Sequence, residues 1–358
     1  MIARASAALA AICSLLIVVS TTVIGQGQPS TSAAPAKGTV VGTGSFTVFV
    51  ENMDRTLAFY HDVFGMEVPP LPPSGARPYN NPNPGLFSFF DIPGAKERHQ
   101  SARVPGIRTN LEAMEIQDVD HKIIPLRIQD PGNATLVLVV RDIEAMLAQL
   151  KQKSVSIVTP GGKPVAFADG TRAVLVRDID QRFVEIRQPG ATPEISAPAG
   201  SPIVDLRLSI AVNDMDRTKQ IYRDLFGFTI AGETAFAPDK SVQALTGLAN
   251  AEVRRSRIQA PGSALWIELV EFRGVERAAL RMRIQDRGAA RLQLPTKNID
   301  ALVDAVKSAG LTVATQGAVA VPMPPNLKGA LVADPNNFFV TLFESCDGCA
   351  PRRPAPAQ

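Results

Sequence analysis

The sequence predicts an α+β protein built from four copies of a βαβββ unit. The first observation is an internal repeat, because the segment from Val50 to Gly65 returns in recognisable form as the segment from Val212 to Gly227. The second is that this match continues along the 358-residue chain at a nearly constant spacing, which indicates two related modules. The third is a weaker echo inside each module, where residues 46–50 resemble residues 136–140. Two modules of two units each make four units.

Each unit opens with a strand followed by a helix. Side chains from Phe46 to Val50 alternate with the period of two that a strand requires. Asn52 or Asp54 can cap the helix that follows, and Gly65 is suited to end it. The same plan predicts the other three helices at Ile143 to Lys153, Met215 to Phe226 and Ile299 to Ala309.

The helices are followed by segments rich in β-branched and aromatic residues, which favour strands. We expect these strands at Met66 to Val68, Leu111 to Gln117, Ala173 to Arg187, Trp266 to Phe272 and Leu331 to Phe343. The Pro-rich stretch from Pro69 to Gly106 lacks clear periodicity. A stretch of this length is typical of a binding loop or lid.

The composition is that of an ordinary globular protein with room for two cores. Hydrophobic residues make up 45% of the chain and charged residues 20%, which argues against overall disorder. Lys and Arg number 37 against 34 Asp and Glu, a net charge of +3. This balance is too even to indicate a nucleic-acid partner.

The N-terminus has the pattern of an export signal. Arg4 precedes an uncharged apolar run from Ala5 to Gly25, which predicts a signal peptide over residues 1–25 and a periplasmic or secreted protein. The run is also long enough to remain as an uncleaved anchor, which would be the protein's only contact with a membrane. Residues 26–43 are rich in Ser, Thr, Ala, Pro and Gln and predict a disordered linker.

Two modules, over residues 44–190 and 203–345, are expected to follow the linker, with a Pro- and Ala-rich tail over residues 346–358. This tail begins with the sequence Cys346-Asp347-Gly348-Cys349. In an oxidising compartment this spacing favours a small local disulfide. A zinc site would need two more ligands, and none lies nearby in the sequence.

Together the paired units and their motif resemble a known family. Units that open with a strand and continue as Val-x-Asp-Met-Asp-Arg-Thr-x-x-x-Tyr-x-Asp-x-Phe-Gly are similar to the vicinal oxygen chelate superfamily, which includes glyoxalase I, fosfomycin and bleomycin resistance proteins and extradiol dioxygenases. The resemblance covers Gly44 to Glu344. It implies two tandem glyoxalase-like modules, whose curled mixed sheets form concave clefts that bind ligands. One such scaffold hosts several chemistries, so the fold alone does not name a reaction.

The resemblance also implies four metal-ligand positions in each module, mostly His and Glu in the metal-dependent enzymes, where the metal acts as a Lewis acid. In the first module these positions fall on Ser45, Glu112, Thr135 and Glu185. In the second module they fall on Arg207, Glu268, Arg291 and Thr341. Three carboxylates therefore remain, and no position holds an imidazole. Glu115 lies three residues after Glu112, and either of these two carboxylates could face the cleft.

Histidine is too scarce to restore such a site. The chain has three, of which we expect His61 on a helix surface, His99 in a loop and His121 in a turn. The second module has none. We therefore expect no cofactor. The alternative is a divalent metal held by Glu112 or Glu115 together with Glu185 and one of the loop histidines.

The substituted positions suggest what the two clefts bind. Arg207 and Arg291 are expected to converge in the second cleft and to bind an anionic small molecule, although Glu268 could instead pair with one of them. The expected lining of the first cleft suits a polar organic molecule, a weakly held cation or a general base. Its carboxylates could also be merely solvated. The residues expected to line this first cleft are Ser45, Thr47, Phe49, Glu112 or Glu115, Thr135 and Glu185.

These observations predict an exported small-molecule-binding or accessory protein without the usual metal site. The alternative is a metal-dependent lyase or dioxygenase of the same superfamily with an altered site in the first module. A third possibility is an interaction module whose clefts are filled by its own side chains. Four units in one chain already supply every half of both clefts, so a monomer is plausible.

Overall fold

The computed structural model describes residues 37–79, 84–191, 197–323 and 326–346. The predicted signal peptide over residues 1–25, the linker up to residue 36 and the tail after Cys346 lie outside the described residues. Cys346 itself is disulfide-bonded. Its predicted partner Cys349 is not among the described residues. Within the described ranges, no helix is both long and apolar enough to span a membrane.

The predicted order of elements recurs in all four units. Unit 1 comprises β1 (Thr39–Val40), β2 (Phe46–Phe49), α1 (Met53–Phe64), α2 (Pro84–Phe90), β3 (Lys96–Ala102) and β4 (Leu111–Gln117). Unit 2 comprises β5 (Ala134–Val140), α3 (Ile143–Gln152), β6 (Val165–Ala166), β7 (Arg172–Arg177) and β8 (Phe183–Gln188). Unit 3 comprises β9 (Ile203–Val212), α4 (Met215–Asp224), β10 (Thr229–Ala231), β11 (Ala237–Pro238), α5 (Lys240–Thr246), β12 (Glu252–Gln259) and β13 (Trp266–Arg273). Unit 4 comprises β14 (Ala290–Lys297), α6 (Ile299–Ser308), β15 (Thr312–Val313), β16 (Val321–Met323), β17 (Leu327–Ala333) and β18 (Phe339–Ser345).

These strands form two mixed sheets, and the predicted fold class is confirmed. Sheet 1 has the order β15-β17-β18-β14-β2-β4-β3, with β1 beside β14 and β16 beside β17. Sheet 2 has the order β10-β12-β13-β9-β5-β8-β7-β6, with β11 beside β12. In every unit the strand just before the first helix (β2, β5, β9 or β14) runs parallel to the last strand of the unit, because the helix carries the chain across between them.

The two sheets are not the two sequence modules. Thr47 of β2 pairs with Arg291 of β14, so units 1 and 4 form sheet 1. Thr135 of β5 pairs with Ser209 of β9, so units 2 and 3 form sheet 2. Our expectation that each module closes its own cleft is therefore wrong. Each module contributes half of each sheet, because every unit offers the same first-strand edge for antiparallel pairing.

One hydrophobic core lies against one face of both sheets. Phe46 and Val48 of β2 point into it, together with the apolar faces of α1, α3, α4 and α6. Thr47 and Phe49 alternate with them and point to the opposite face, as predicted. On sheet 1 this opposite face is partly covered by α2, whose residues Phe89 and Phe90 pack against Phe49.

The helix boundaries follow the predicted signals closely. Asn52, rather than Asp54, caps α1, and its side chain accepts a hydrogen bond from the backbone N–H of Arg55 at 3.0 Å. Gly65 ends the helix in the left-handed region with φ of 68°. After the helix, the predicted strand at Met66 to Val68 is absent, and only Glu67 makes an isolated bridge.

The Pro-rich stretch contains more regular structure than expected, because it includes α2 and β3. His99 therefore lies on a strand, and our placement of it in a loop is wrong. The strand was missed because Lys96–Ala102 is polar, with Glu97 and Arg98 both buried. Charged side chains at buried positions hide the hydrophobic alternation on which strand prediction depends.

Two buried aspartates connect the helices to the sheet turns, in both halves of the repeat. The hydroxyl of Tyr60 donates to Asp178 at 2.8 Å, and that of Tyr222 donates to Asp334 at 3.2 Å. Burial raises the pKa of each aspartate to about 6. Since an unfolded aspartate has a pKa of about 3.9, the folded protein binds more protons between about pH 4 and pH 6.

We predict that these two groups lower the free energy of unfolding as the pH rises from about 4 to about 6. In the double variant Asp178→Asn, Asp334→Asn this contribution is removed, since an amide does not titrate. The stability of the original protein relative to the variant should therefore be greatest near pH 4 and smaller at pH 7. Urea unfolding at several pH values measures this difference, and a difference independent of pH would contradict the prediction.

Candidate functional site

The concave face of sheet 1 holds a cavity of about 180 Å³, which we call cleft 1. Its walls come from units 1 and 4, and its roof includes α2. Half of its lining residues are apolar, and the other half are polar or charged. The lining residues are Leu86, Phe89, Glu97, His99, Glu112, Met114, Arg291, Gln293, Met323, Leu327, Thr341 and Phe343.

The ambiguity between Glu112 and Glu115 is resolved by the alternation of β4. Glu112 points into cleft 1, on the same face as Met114. Glu115 points to the opposite face, where its Oε2 accepts hydrogen bonds from the backbone N–H of Met53 at 2.9 Å and from Arg98 at 2.7 Å. Glu115 therefore caps α1 and pairs with an arginine, so it has a structural role.

Arg291 brings a guanidinium into the lining of cleft 1, which also holds the carboxylates of Glu97 and Glu112. Arg291 is 5% exposed, and its Nε has no hydrogen-bond partner in the described part of the chain. Its guanidinium carbon lies 5.1–5.8 Å from the ring centres of Phe49, Phe89 and Phe90. Among the described residues, the side chain makes one hydrogen bond, a long one from Nη1 to Thr341 Oγ1 at 3.4 Å.

Burial lowers the pKa of Arg291, and the nearby carboxylates of Glu112 and Glu97 act in the opposite direction. An arginine nevertheless stays protonated in a protein. Among the described residues, no carboxylate forms an ion pair with it. Cleft 1 therefore contains a buried positive charge that the protein's own groups stabilise through aromatic faces and distant carboxylates.

Glu112 is held in place by its neighbours. Its Oε2 accepts hydrogen bonds from Thr47 Oγ1 at 3.1 Å and from Gln293 Nε2 at 2.8 Å.

The predicted ligand position Ser45 lies before β2 and outside the cavity lining, where its carbonyl accepts from the backbone N–H of Gln293 at 3.1 Å. Thr47, two residues further along on the same strand face, contacts Glu112 instead.

The histidines behave differently from one another. His99 lies at the edge of cleft 1, with Nδ1 3.0 Å from Glu97 Oε2. The hydrogen bond to Glu97 raises the pKa of His99, and Glu112 adds to this effect against the opposing effects of burial and Arg291. His61 is exposed on α1, as predicted, and His121 is exposed near β4.

The concave face of sheet 2, which we call cleft 2, is nearly filled by its own side chains, which include apolar residues and an ion-paired group. Arg187 Nε donates to Glu185 Oε1 at 2.6 Å, and its Nη2 lies 3.6 Å from Glu268 Oε2. Burial lowers the pKa of Arg187, but the two carboxylates more than offset this and raise it. The remaining cavity measures about 40 Å³, and its lining also includes Thr135.

The predicted convergence of Arg207 and Arg291 is wrong, since the two lie in different sheets. Arg207 Nε donates to Asp205 Oδ2 at 2.7 Å and lines a surface groove that also contains Trp266. Glu268 does pair with an arginine, but its partner is Arg187 rather than either predicted one.

The superfamily's usual metal does not fit the residues present. Within residues 37–79, 84–191, 197–323 and 326–346, no group of three or more His, Cys, Asp or Glu side chains could hold a metal ion. Glu112 and Glu185 belong to different sheets, so the alternative site that combines them does not form. Thr341 occupies the remaining ligand position of cleft 1, where it contacts Arg291.

Gln293 of cleft 1 and Arg187 of cleft 2 are among the cleft residues that were not predicted from the sequence. Gln293 follows Arg291 by two residues and therefore shares its strand face, and Arg187 follows Glu185 in the same way. This period of two was the available signal.

Fold and site together define a protein of paired βαβββ units with one open and one closed cleft. The family model of the Glyoxalase/Bleomycin resistance protein/Dioxygenase superfamily matches residues 42–184 and 206–336. The chain therefore belongs to this superfamily. Comparison with curated proteins gives no match.

Solved structures share the fold. Glyoxalase I from Zea mays is 17% identical, with a TM-score of 0.54, over 86% of this chain and 92% of that one. A protein from Bacillus subtilis named as a candidate dioxygenase is 14% identical, with a TM-score of 0.52, over 87% of this chain and 86% of that one. At these identities the likeness supports the architecture alone.

Proposed function

We propose that this protein binds a small organic anion in cleft 1, without the superfamily's usual metal. The observation that carries the proposal is Arg291, a buried guanidinium that lines the cavity and has no carboxylate partner in the described part of the chain. The anionic group of the ligand would complete its hydrogen bonds. A guanidinium presents forked donors that suit a carboxylate, phosphate or sulfate.

The energetics support a ligand rather than a purely structural role. A buried charge is costly unless it is paired and hydrogen-bonded. Aromatic faces offset part of this cost, since each cation–π contact contributes on the order of 1 kcal/mol. A structural arginine would be expected to have the kind of partners that Arg187 has in cleft 2, where two carboxylates flank the guanidinium.

The walls of cleft 1 indicate the rest of the ligand. Aromatic and thioether side chains surround the charged group, with Phe89, Met114, Met323 and Phe343 among them. Small-molecule sites commonly combine such apolar walls with a few polar anchors. A ligand with an apolar body and one anionic end fits this lining. Because cleft 2 is nearly filled, we expect one ligand per chain.

We also propose that the protein acts outside the cytoplasm, in the periplasm or after secretion. The support for this is the apolar run over residues 5–25, preceded by Arg4. Fractionation of cells that express the full chain, with N-terminal sequencing of the product, tests export and cleavage together. Recovery of the intact chain from the cytoplasm would contradict the proposal.

The proposed function predicts a specific effect of the substitution Arg291→Leu. Without ligand, the variant should be as stable as the original protein or more stable, since an unpaired buried charge is replaced by an apolar group. Small carboxylates such as phenylacetate should raise the Tm of the original protein and leave that of the variant unchanged. At 100 times the Kd, the stabilisation of the original protein would be about 2.7 kcal/mol.

The matched control is Arg207→Leu, which removes an arginine that has its own carboxylate partner and lies outside cleft 1. This control variant should keep the full response to carboxylates. Sodium chloride at the same ionic strength separates specific binding from screening. Equal responses of the two variants would refute a site at Arg291.

A further inference from the structure

Cleft 1 contains two opposite charges that do not pair with each other. Arg291 and Glu112 both lie opposite Thr47, one on each neighbouring strand, so they are two strands apart. Two strand spacings are about 10 Å between Cα atoms. Both side chains point into the same cavity, yet they form no ion pair. A space between a fixed donor and a fixed acceptor therefore lies on the floor of the cleft.

Glu112 is oriented so that one oxygen remains available. Thr47 and Gln293 both donate to Oε2, which fixes the carboxylate. Oε1 has no hydrogen-bond partner among the described residues. This oxygen is not fully buried, and since Glu112 lines the cavity, Oε1 is accessible from the cavity. An oriented acceptor in an apolar cavity favours ligands that bring a hydrogen-bond donor to it.

We propose that the ligand of cleft 1 is a carboxylate that also carries a hydroxyl or ammonium group, with the carboxylate bound by Arg291 and the donor bound by Glu112. This inference rests on the proposed function and adds the second recognition group. A hydroxy acid and an amino acid share this chemistry. The amino acid would also balance both charges, because its ammonium faces Glu112 while its carboxylate faces Arg291.

The experiment uses ligands that share one skeleton and differ in the hydrogen-bond donor or in the carboxylate. Phenylacetate carries the carboxylate alone, mandelate adds a hydroxyl, phenylglycine adds an ammonium, and 1-phenyl-1,2-ethanediol lacks the carboxylate. Propanoate, lactate and alanine form the same comparison on a smaller skeleton. Isothermal titration calorimetry on the mature protein gives the Kd and the stoichiometry of each.

We expect mandelate or phenylglycine, or their smaller counterparts, to bind about tenfold more tightly than the matching simple carboxylate. The diol should not bind measurably. Preference for the hydroxyl or for the ammonium compound identifies which donor the site takes. The stoichiometry should be one ligand per chain.

The variants Glu112→Gln and Arg291→Leu separate the donor site at Glu112 from the anion site at Arg291. Glu112→Gln should lose the preference for a donor, so that mandelate and phenylglycine bind no more tightly than phenylacetate, whereas Arg291→Leu should bind none of the carboxylates. Equal binding of phenylacetate, mandelate and phenylglycine to the original protein, and of propanoate, lactate and alanine, would overturn this inference and leave the anion site standing. Absence of binding by every carboxylate would overturn the proposed function itself. The comparison among ligands on the original protein decides the matter even if a variant folds poorly.

Discussion

Replacing Glu115 with glutamine is expected to lower the free energy of unfolding by about 4 kcal/mol, in the range seen when one partner of a buried ion pair is removed. Glu115 is 1% exposed, and its carboxylate accepts from Arg98, from the first residue of α1 and from the hydroxyl of Tyr79. An amide places a donor among these donors and leaves the charge of Arg98 (6% exposed) with only Asp54 as an ionic partner.

The same substitution at Glu112 is the matched control, since it lies on the same strand with its side chain on the opposite face. An amide can still accept from Thr47 and Gln293 there, so the change in stability should stay within about 1 kcal/mol. Urea unfolding of both variants measures the contrast. Similar losses at the two positions would mean that the assignment of faces on β4 is wrong.

The sequence alone predicted part of the arrangement of Glu112 and Glu115. A spacing of three residues on a strand puts Glu112 and Glu115 on opposite faces, so the sequence predicted that only one of them reaches the cleft. It could not predict which one. That depends on which face packs against α1, and both faces of β4 are buried. The structure shows the same arrangement in the repeat, where Glu271 accepts hydrogen bonds from the backbone N–H of Met215 and from Arg254.

The pairing of units lay beyond sequence reasoning for a different reason. Four similar units offer four similar first strands. Pairing unit 1 with unit 2 and unit 3 with unit 4 satisfies the same hydrophobic pattern as pairing unit 1 with unit 4 and unit 2 with unit 3. The choice is made by long-range contacts such as Thr47 with Arg291 and Thr135 with Ser209. Local propensity carries no information on such contacts. Glu112, Arg291 and Thr341 therefore line cleft 1, and Thr135, Glu185 and Glu268 line cleft 2, a division that does not follow the two modules.

Substituting Arg187 with methionine is expected to destabilise the protein by about 3 kcal/mol near neutral pH. The guanidinium lies between Glu185 and Glu268, whose side chains are 8% and 22% exposed. Methionine fills a similar volume but leaves two carboxylates facing one another without a cation. Like charges at short range raise each other's pKa, so the loss should shrink as the pH falls and the carboxylates become protonated.

A second set of substitutions distinguishes repulsion from lost packing. Adding Glu185→Gln and Glu268→Gln to the methionine variant should restore most of the lost stability, since no unpaired charge then remains. The substitution Arg207→Met is the control for removing a partly exposed, singly paired arginine, and we expect a loss below about 1 kcal/mol. Urea unfolding at pH 5 and pH 7 compares all of these variants. A full loss that persists in the triple variant would show that Arg187 acts through packing. Restored stability would instead show that Arg187 stabilises cleft 2 by pairing with Glu185 and Glu268, whereas Arg291 of cleft 1 has no carboxylate partner among the described residues.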